Sequence, residues 1–165
     1  MERAQTGTPA PAIKPLLLRR MRSEHVEAVA EIEARSYPDA WPLESFSEWL
    51  ELAACGANVL VEPSQSDGKK DTVAGFILYE VVRKRMHIAD VAVSPDFRRR
   101  GVASDLIRHV MKMGRKLHKV RVTLEVRKSN ASAISLYKHL GFVKKRTIKA
   151  YYEDGEDGLF MEVTL

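Results

Sequence analysis

The chain has 165 residues, a formal net charge of +5 and one cysteine. This length suits one domain with a single core, and a lone cysteine excludes an internal disulfide framework and indicates a reducing compartment. The sequence shows neither an apolar run long enough to span a membrane nor a signal-peptide pattern, so we expect a cytoplasmic protein. The positive charge favours an anionic ligand, such as a nucleotide-like cofactor, an acidic peptide or RNA, without choosing among them.

Residues 1–13 differ in composition from the rest of the chain. They are rich in Thr, Pro, Ala and Gly and show no periodicity. We expect them to form a flexible arm ahead of a single domain over residues 14–165.

Hydrophobic periodicity predicts the order β-α-α-β-β-β-α-β-α-β-β. The predicted strands cover residues 15–21, 58–62, 72–82, 86–93, 119–127, 142–152 and 158–165, and the predicted helices cover 23–37, 43–56, 101–118 and 129–141. The second helix is expected to end at Gly56. This order predicts a mixed sheet with helices on both faces, an α/β or α+β fold.

The strand over residues 119–127 alternates strictly between apolar and polar residues. One face is predicted to carry Val120, Val122, Leu124 and Val126, and the other Arg121, Thr123, Glu125 and Arg127.

The stretch RRRGVA, residues 98–103, lies where a predicted strand leads into a predicted helix. A helix N-terminus presents unpaired N–H groups with partial positive charge, which attract anions. Gly101 lets a ligand approach the backbone, Ala103 adds little bulk, and the three arginines add positive charge. The spacing therefore suits a pyrophosphate, although it is neither a Walker A loop nor the Rossmann fingerprint. Taken alone, a basic helix cap of this kind is more often an ordinary surface.

Two segments together resemble the GNAT family of N-acetyltransferases. VAVSPDFRRRGVASDLI resembles the family's acetyl-CoA-binding motif, Gln/Arg-x-x-Gly-x-Gly/Ala after the fourth strand, and LEVRKSNASAISLYKHLGF (124–142) resembles its next strand and helix. The resemblance covers residues 14–165. It implies acetyl-CoA as cofactor and a mixed, mostly antiparallel sheet of about seven strands with about four helices, in which the fourth and fifth strands splay apart.

Within this family the sequence is most similar to N-terminal protein acetyltransferases, both the bacterial ribosomal-protein alanine N-acetyltransferases and the archaeal and eukaryotic catalytic subunits. HIADVAV and AYYEDGEDGLFM resemble the archaeal–eukaryotic branch, so an archaeal source is expected. The resemblance implies acetylation of the free α-amine of protein N-termini. A lysine side chain or a small amine remains an alternative acceptor, and a basic module that binds RNA or the ribosome without catalysis is a third hypothesis.

The implied partners are protein N-termini or nascent chains. The ribosome and an auxiliary subunit remain open as partners, and no membrane, specific nucleic acid or metal is expected. The preferred first residues and the oligomeric state are also left open.

The resemblance assigns cofactor binding to two segments and a helix cap. The backbone after the fourth strand would bind the pyrophosphate, and the fourth strand itself would pair with the pantetheine arm and supply an oxyanion donor from Val91 or Ala92. Val91 and Val93 could equally be strand core, and Asn130 is also predicted as a helix N-cap. The implied residues are Val91, Ala92, Val93, Arg98, Arg99, Arg100, Gly101, Val102, Ala103, Ser104, Asn130 and Tyr137.

Acid–base chemistry is implied for three side chains. An α-amine has a pKa of about 7.7–8.0, so a base helps the reaction without being indispensable. The resemblance implies Glu125 as that base, through a water, with His87 as an alternative or cooperating base. Glu125 could instead form a salt bridge with Arg121 or Arg127. Tyr137 is implied as the acid that protonates the leaving thiolate, although its ring could also pack in the core.

The acceptor is expected to enter between two aromatic segments. Tyrosines matching AYY narrow the mouth in the resembled enzymes, and YPDAWP would form the other wall. The acidic residue of YPDAWP is an Asp where the archaeal–eukaryotic branch usually has Glu, and its tryptophan could equally be a core plug between two helices. The implied residues are Tyr37, Pro38, Asp39, Trp41, Tyr151 and Tyr152.

Overall fold

The structure, a computed structural model, describes residues 15–66 and 68–165. The predicted arm over residues 1–13 lies outside the described residues, so the arm and the domain boundary at residue 14 stay predictions. The strands are β1 Leu17–Arg20, β2 Cys55–Glu62, β3 Thr72–Val82, β4 Arg85–Val93, β5 Arg121–Arg127, β6 Val143–Ile148 and β7 Gly158–Thr164, and the helices are α1 Val26–Ala34, α2 Leu43–Glu51, α3 Val102–Lys116 and α4 Ala131–His139. Short 3₁₀ helices cover Ser23–His25 and Pro95–Phe97.

The seven strands form one sheet in the order β1-β2-β3-β4-β5-β7-β6. Neighbouring strands are antiparallel except β4 and β5, which are parallel. This confirms the predicted mixed, mostly antiparallel sheet. Within the two described ranges, no helix combines the length and the hydropathy that crossing a membrane requires.

Helices cover both faces of the sheet, as predicted. Val29 of α1 and Phe46 of α2 belong to the core on one face, where Phe46 meets Phe76 of β3 edge-on with ring centroids 5.8 Å apart. Leu106 and Val110 of α3 are fully buried in the core on the other face. Their spacing of four residues places them on one side of the helix, which is why the amphipathic pattern located α3 correctly.

The second helix ends five residues before the predicted end at Gly56, and that prediction was wrong. The helix stops at Glu51 because Leu52 adopts extended dihedral angles, φ −77° and ψ 123°. Gly56 lies in β2 opposite Tyr79, and a Cβ atom there would stand 2.3 Å from the tyrosine ring. The glycine is therefore needed for close packing between two strands rather than for a helix cap.

The predicted division of β5 into a buried and a polar face needs correction at two positions. Thr123 is 1% exposed although it belongs to the polar set, and Val120 lies before the strand with 47% of its surface exposed. The Thr123 hydroxyl lies 2.9 Å from Nδ1 of His87. Because this hydrogen bond satisfies the hydroxyl, its burial costs little.

Strands β4 and β5 separate halfway along their length, as the resemblance implied. Their pairing runs only from Arg85 opposite Arg121 to Ile88 opposite Leu124. A register shift against β3 at the same level leaves Ala89 as an extra residue in β4. Such a bulge bends a strand and increases its twist. Beyond it β4 is paired only with β3, so a gap opens in the middle of the sheet.

Candidate active site

Two cavities meet at the gap between β4 and β5. The inner cavity, of about 130 Å³, lies between α1, β4, β5 and the segment that follows β6. The cleft, of about 520 Å³, runs along the end of β4 to the start of α3. Four residues line both: Tyr37, Val91, Asn130 and Tyr137. A ligand in the cleft can therefore touch one in the inner cavity.

The end of the cleft at α3 is built to bind an anion. Among the described residues, no hydrogen-bond acceptor pairs with the backbone N–H groups of residues 99–104. Arg99 and Gly101 have positive φ angles of 60° and 80°, which turns successive N–H groups towards one point. A Cβ atom at Gly101 would have no neighbour within 4 Å, so the backbone is open to a ligand. This cradle fits a pyrophosphate.

The three arginines of the cradle do not share one environment. Arg98 and Arg99 line the cleft, together with the start of α3 from Gly101 through Ser104. Arg100 lies outside it, 3.8 Å from the carboxylate of Glu62. Its guanidinium carbon also lies 4.8 Å from the centroid of the Phe97 ring. This arginine therefore stabilises the loop and does not line the cleft.

The open edge of β4 forms the wall of the cleft. Val91, Ala92 and Val93 all line it, and on the opposite side they pair with Ile77, Phe76 and Gly75 of β3 in that order. Val91 and Ala92 are also buried, with 9% and 5% of their surfaces exposed. Val91 and Ala92 are therefore strand core and cleft wall at once, and pairing of this edge with the pantetheine arm stays a prediction.

Asn130 is the N-cap of α4, as predicted. Its side-chain oxygen accepts a hydrogen bond from the N–H of Ala133 at 3.1 Å. It also lines both cavities, so its remaining amide group faces the place where they join.

Glu125 lies in the inner cavity and is paired with His87 rather than with an arginine. Its Oε2 stands 3.2 Å from Nε2 of His87, and both side chains are 17% exposed. The Thr123 hydroxyl lies 2.9 Å from His87 Nδ1 and also donates to the Met86 carbonyl at 3.5 Å. Nε2 is therefore the ring nitrogen that faces the Glu125 carboxylate.

The two salt bridges considered for Glu125 are not formed. Arg121 pairs with Glu162 at 3.2 Å, and Arg127 pairs with three other carboxylates. His87 itself lines neither of the two cavities and reaches the inner one through Glu125.

Tyr137 stands at the junction of the two cavities. Its ring packs against Phe142 with centroids 5.9 Å apart, as a core aromatic would. Among the described residues its hydroxyl has no hydrogen-bond partner, although both cavities reach the side chain. Burial, and after it the negative charge of Asp90, raises the pKa of Tyr137 above its ordinary value. The hydroxyl is therefore protonated at neutral pH.

The predicted acceptor residues divide into those at the cavity and those outside it. Tyr37 donates a hydrogen bond to the Val91 carbonyl at 2.7 Å, and Trp41 lines the inner cavity while packing on Trp49 at 5.5 Å. Trp41 therefore packs as a core residue would, and its contact with the acceptor stays a prediction. Tyr152 and Asp39 also line the inner cavity, whereas Pro38 and Tyr151 are exposed and line neither cavity.

Sequence reasoning did not assign a site role to Arg127, which holds two cavity loops together. Its guanidinium binds Asp39 of the α1–α2 segment at 2.9 Å, and Asp154 and Glu156 of the β6–β7 segment at 2.8 and 2.9 Å. It also stacks 4.0 Å above the ring of Tyr152. Because its partners lie up to 88 residues away, local sequence pattern contained no signal for this cluster.

Sequence reasoning also missed a buried pair of carboxyl groups, Glu33 of α1 and Asp90 of β4. Both line the inner cavity, and one carboxylate oxygen of each is buried without a hydrogen-bond partner among the described residues. Burial is the main cause that raises the pKa of each group. A signal existed, since Glu33 falls seven residues after Val26 and four after Val29, on the apolar stripe of α1.

No group of three or more His, Cys, Asp or Glu side chains within residues 15–66 and 68–165 is arranged to hold a metal ion.

The open sheet therefore brings N–H groups suited to a phosphate close to a carboxylate and a protonated tyrosine, groups that an acyl transfer can use. Comparison with known proteins agrees. Residues 26–142 match the Acetyltransferase (GNAT) family, and the chain belongs to this family. It is an acyltransferase with acetyl-CoA as its cofactor, which confirms those two expectations.

Curated relatives come from bacteria and archaea. The chain is 35% identical to a putative ribosomal protein bS18-alanine N-acetyltransferase of Bacillus subtilis, over 90% of this chain and 95% of the relative. It is 30% identical to an N-alpha-acetyltransferase of Sulfurisphaera tokodaii, over 92% of this chain and 95% of the relative.

Solved structures show the same fold. The ribosomal-protein-S18-alanine N-acetyltransferase from Escherichia coli has a TM-score of 0.77 at 28% identity and covers 91% of this chain and 94% of its own. Ard1 from Thermoplasma volcanium has a TM-score of 0.80 at 26% identity, with coverage of 91% and 97%.

Proposed function

We propose that this protein transfers an acetyl group from acetyl-CoA to the free α-amine of protein N-termini. The observation that carries the proposal is the inner cavity, which holds Glu125 and Tyr137 and is closed on two sides by loops that Arg127 ties together. A cavity of about 130 Å³ suits the end of a chain. The names of the bacterial and archaeal relatives point to the same class of acceptor.

The cofactor supplies an activated acetyl group as a thioester. For this chain we assign its pyrophosphate to the N–H groups of residues 99–104 and its pantetheine arm to the open edge of β4. The backbone of Val91 to Val93 offers hydrogen-bonding groups to an extended ligand in the way that an edge strand does. Arg98 and Arg99 add positive charge next to the phosphates.

Glu125 is the proposed base because it is the carboxylate that faces the reacting amine from β5. It accepts the proton of the α-ammonium, directly or through a water, and leaves a neutral amine for attack. His87 acts on Glu125 rather than on the amine, because its Nε2 lies 3.2 Å from the Glu125 carboxylate and the ring does not line the inner cavity. We therefore assign His87 as a positioning residue.

Tyr137 is the proposed acid. Its raised pKa keeps the hydroxyl protonated, and its place at the junction of the cavities puts it beside the departing sulfur. The backbone N–H of Val91 or Ala92 is the proposed oxyanion donor.

The acceptor peptide is proposed to enter between Tyr37 and Trp41 on one side and Tyr152 on the other. Asp39 contributes through Arg127, which fixes the position of both walls. Pro38 and Tyr151 stand further out, where they would contact later residues of the peptide. The proposed partners are nascent chains first, then the ribosome, then an auxiliary subunit. The proposed location is the cytoplasm, which the lone cysteine supports.

Steady-state turnover of acetyl-CoA tests this proposal. The acceptors are short peptides with free N-termini, the same peptides blocked at the N-terminus and containing lysine, and small primary amines. We expect at least about a hundredfold higher kcat/KM for the free α-amines. Turnover confined to the blocked lysine peptides or to small amines would replace the proposed acceptor and leave the acetyltransferase assignment intact.

A further inference from the structure

The outer side of α3, the segment that follows it and the turn between β3 and β4 carry positive charge without negative charge. Residues 106–124 and 81–89 contain nine lysine and arginine residues and no aspartate or glutamate. The rest of the chain holds 18 of the 27 basic residues against all 22 acidic ones, a balance of −4. The net positive charge of the protein therefore comes from this surface, which we call the basic face. Its members are Arg83, Lys84, Arg85, Arg108, Lys112, Arg115, Lys116, Lys119 and Arg121.

Hydrogen bonds hold the two segments of the basic face together. Nζ of Lys119 donates a hydrogen bond to the Arg83 carbonyl at 2.7 Å, and the N–H of Val120 donates one to the Lys84 carbonyl at 2.8 Å. Eight of the nine basic residues are exposed, and Lys119 is half-buried. The fold therefore presents these cations on one continuous surface.

The protein itself neutralises little of this charge. In the part of the chain that the structure describes, Arg121 is the member of the basic face that pairs with a carboxylate, that of Glu162 at 3.2 Å. Arg85 stands opposite Arg121 on the neighbouring strand, and like charges on paired strands repel each other. Burial, and after it the positive charges of two lysines of α3, lowers the pKa of His109. A surface of this kind attracts a polyanion.

Helix stability accounts for only part of the basic face. Arg115 and Lys116 lie in the last turn of α3, where cations interact favourably with the helix dipole. Arg108 and Lys112 lie earlier in the helix, and residues 83–85 lie outside it. Because the effect of the dipole is confined to the last turn, it does not explain these remaining cations.

The dimensions and composition of the basic face favour a nucleic acid over a protein or a lipid surface. Arg108 and Lys116 are separated by about 12 Å along the helix axis, a length over which a duplex carries about seven phosphate charges. Leu117 and Val120 are the large exposed apolar side chains of this surface among the described residues. Two such side chains are too few for the apolar centre of a stable protein interface or for insertion into a lipid surface.

The shape of the basic face favours RNA over DNA. Because the β3–β4 turn is hydrogen-bonded to the segment after α3, the basic face is a broad surface rather than a single projecting helix. The major groove of DNA admits one helix or a two-stranded ribbon. The minor groove of an RNA duplex is wide and shallow, and proteins recognise such duplexes through phosphates and 2′-hydroxyl groups. A broad cationic surface suits the second kind of contact.

We propose that the basic face is a docking surface for double-stranded RNA, which it binds through the phosphate backbone without reading the base sequence. Its nine residues line neither the cleft nor the inner cavity. Lys116, the last residue of α3, lies about 21 Å along the helix axis from the start of the helix at the cleft. Bound RNA therefore leaves both cavities open, and the protein can act on a chain end while it is docked.

Fluorescence anisotropy with a labelled RNA duplex of about 16 base pairs tests this docking surface. Saturating CoA is present throughout, so that it competes for residues 99–104. We expect a Kd of about 100 μM or tighter near physiological salt. The logarithm of the association constant should fall with that of the salt concentration with a slope of about −3 or steeper, which corresponds to three or more phosphate contacts. A weaker Kd or a flatter slope would overturn the proposal.

Arg83→Glu with Lys84→Glu reverses two charges in the exposed β3–β4 turn. The Kd for the RNA duplex should rise at least about tenfold, and the slope should become shallower by about two, one for each lost phosphate contact. The matched control is Lys69→Glu with Lys70→Glu, in the exposed segment between β2 and β3. It changes the net charge equally at the opposite end of β3, about 30 Å away, and should bind within about threefold of the wild type. Equal losses of affinity in the two variants would contradict a localised docking surface.

Further comparisons separate the classes of partner and control for folding. A DNA duplex of the same sequence and polyglutamate of the same charge should both bind less tightly than the RNA duplex. Equal or tighter binding of either would overturn the choice of RNA. If Arg83→Glu with Lys84→Glu does not fold, as judged by thermal unfolding, Arg108→Glu with Lys112→Glu on α3 repeats the test with the same expected loss. RNA binding is measured without acetyl transfer, so its absence would leave the proposed function intact.

Discussion

Glu125 is connected to the protein interior through His87, which the Thr123 hydroxyl orients. The proposed base is therefore positioned by two residues on neighbouring strands, His87 of β4 and Thr123 of β5. The register of β4 and β5 places His87 directly opposite Thr123. These side chains therefore meet in the parallel part of the sheet, next to the point where the two strands separate.

Glu125→Gln tests the assignment of the base. The amide keeps the shape and cannot accept the proton, so kcat should fall by about 10²–10³-fold, while the dissociation constant of acetyl-CoA stays the same. Stopped-flow or discontinuous assays give the first quantity and calorimetry gives the second. Arg121→Gln, on the same strand and exposed, is the control. A kcat within a few-fold of wild type would move the base elsewhere.

Tyr137→Phe tests the assignment of the acid through a pH profile. Because burial raises the pKa of Tyr137, its protonated form persists at and above the ordinary tyrosine pKa of about 10. Activity of the wild-type protein should therefore show no alkaline decline from this group between pH 7 and 10. The variant should lose about ten- to a hundredfold in kcat across the range. Equal kcat in the two proteins would contradict the role.

At the scale of elements, Arg127 joins three segments that are far apart in the chain. It extends from the end of β5 to the loop after α1 and to the loop between β6 and β7. The pKa of Asp154 is lowered by the N–H of Glu156 and by Arg127, and that of Glu156 by Ser129 and by Arg127. Both loops contribute residues to the wall of the inner cavity.

Arg127→Ala should make the loop after α1 and the loop between β6 and β7 more mobile and should leave the cleft unchanged. We expect KM for an acceptor peptide to rise by about five- to tenfold, with a smaller change in kcat and an unchanged affinity for acetyl-CoA. Arg146→Ala, whose guanidinium stacks on Phe160 away from the inner cavity, is a control of the same chemistry. An unchanged KM would mean that the walls keep their positions without the guanidinium.

The same cluster predicts an acid-sensitive contribution to stability. Carboxyl groups with a folded-state pKa below the unfolded value stabilise the protein above that unfolded pKa, and this contribution disappears as the pH falls through the folded pKa. The ordinary values are 3.8 for Asp154 and 4.5 for Glu156. Thermal unfolding between pH 7 and pH 3 should therefore show a smaller loss of Tm in Arg127→Ala than in the wild type. Parallel losses would exclude the linkage.

Arg99→Glu tests whether the loop before α3 and the first turn of that helix bind the pyrophosphate. The change places a negative charge beside the N–H groups of residues 99–104, so the affinity for CoA should fall by at least about tenfold. Arg108→Glu alters the net charge equally on the exposed side of α3 and serves as the control. Equal affinities in these two variants would show that the cradle does not hold the pyrophosphate.

Across the whole molecule, sequence pattern predicted elements better than it predicted contacts. A long apolar run placed β3 at residues 72–82, as observed, and helical spacing placed α3 within one or two residues. The end of α2 was missed because Leu52 to Ala54 continue an apolar pattern, although the backbone is extended at Leu52 and forms a turn at the next two residues. A local sequence pattern contains no information about which strand will pair with a given segment.

The site residues also divide into those that sequence motifs identify and those that only the fold brings together. Sequence motifs identified Glu125, Tyr137 and residues 98–104, because these residues lie within the motifs themselves. The Glu33–Asp90 pair and the Arg127 cluster depend on residues brought together across 57 and 88 positions, so only the fold shows them. An archaeal source stays a prediction, since relatives come from both bacteria and archaea.

The most direct test of the central claim uses one peptide with two competing amines, a free α-amine at its first residue and a lysine further along. After partial reaction with acetyl-CoA, fragment-ion mass spectrometry locates the acetyl group. The account predicts that nearly all of the product carries it on the α-amine, because the inner cavity admits a chain end between its linked walls. Acetyl groups found mainly on the lysine would contradict it.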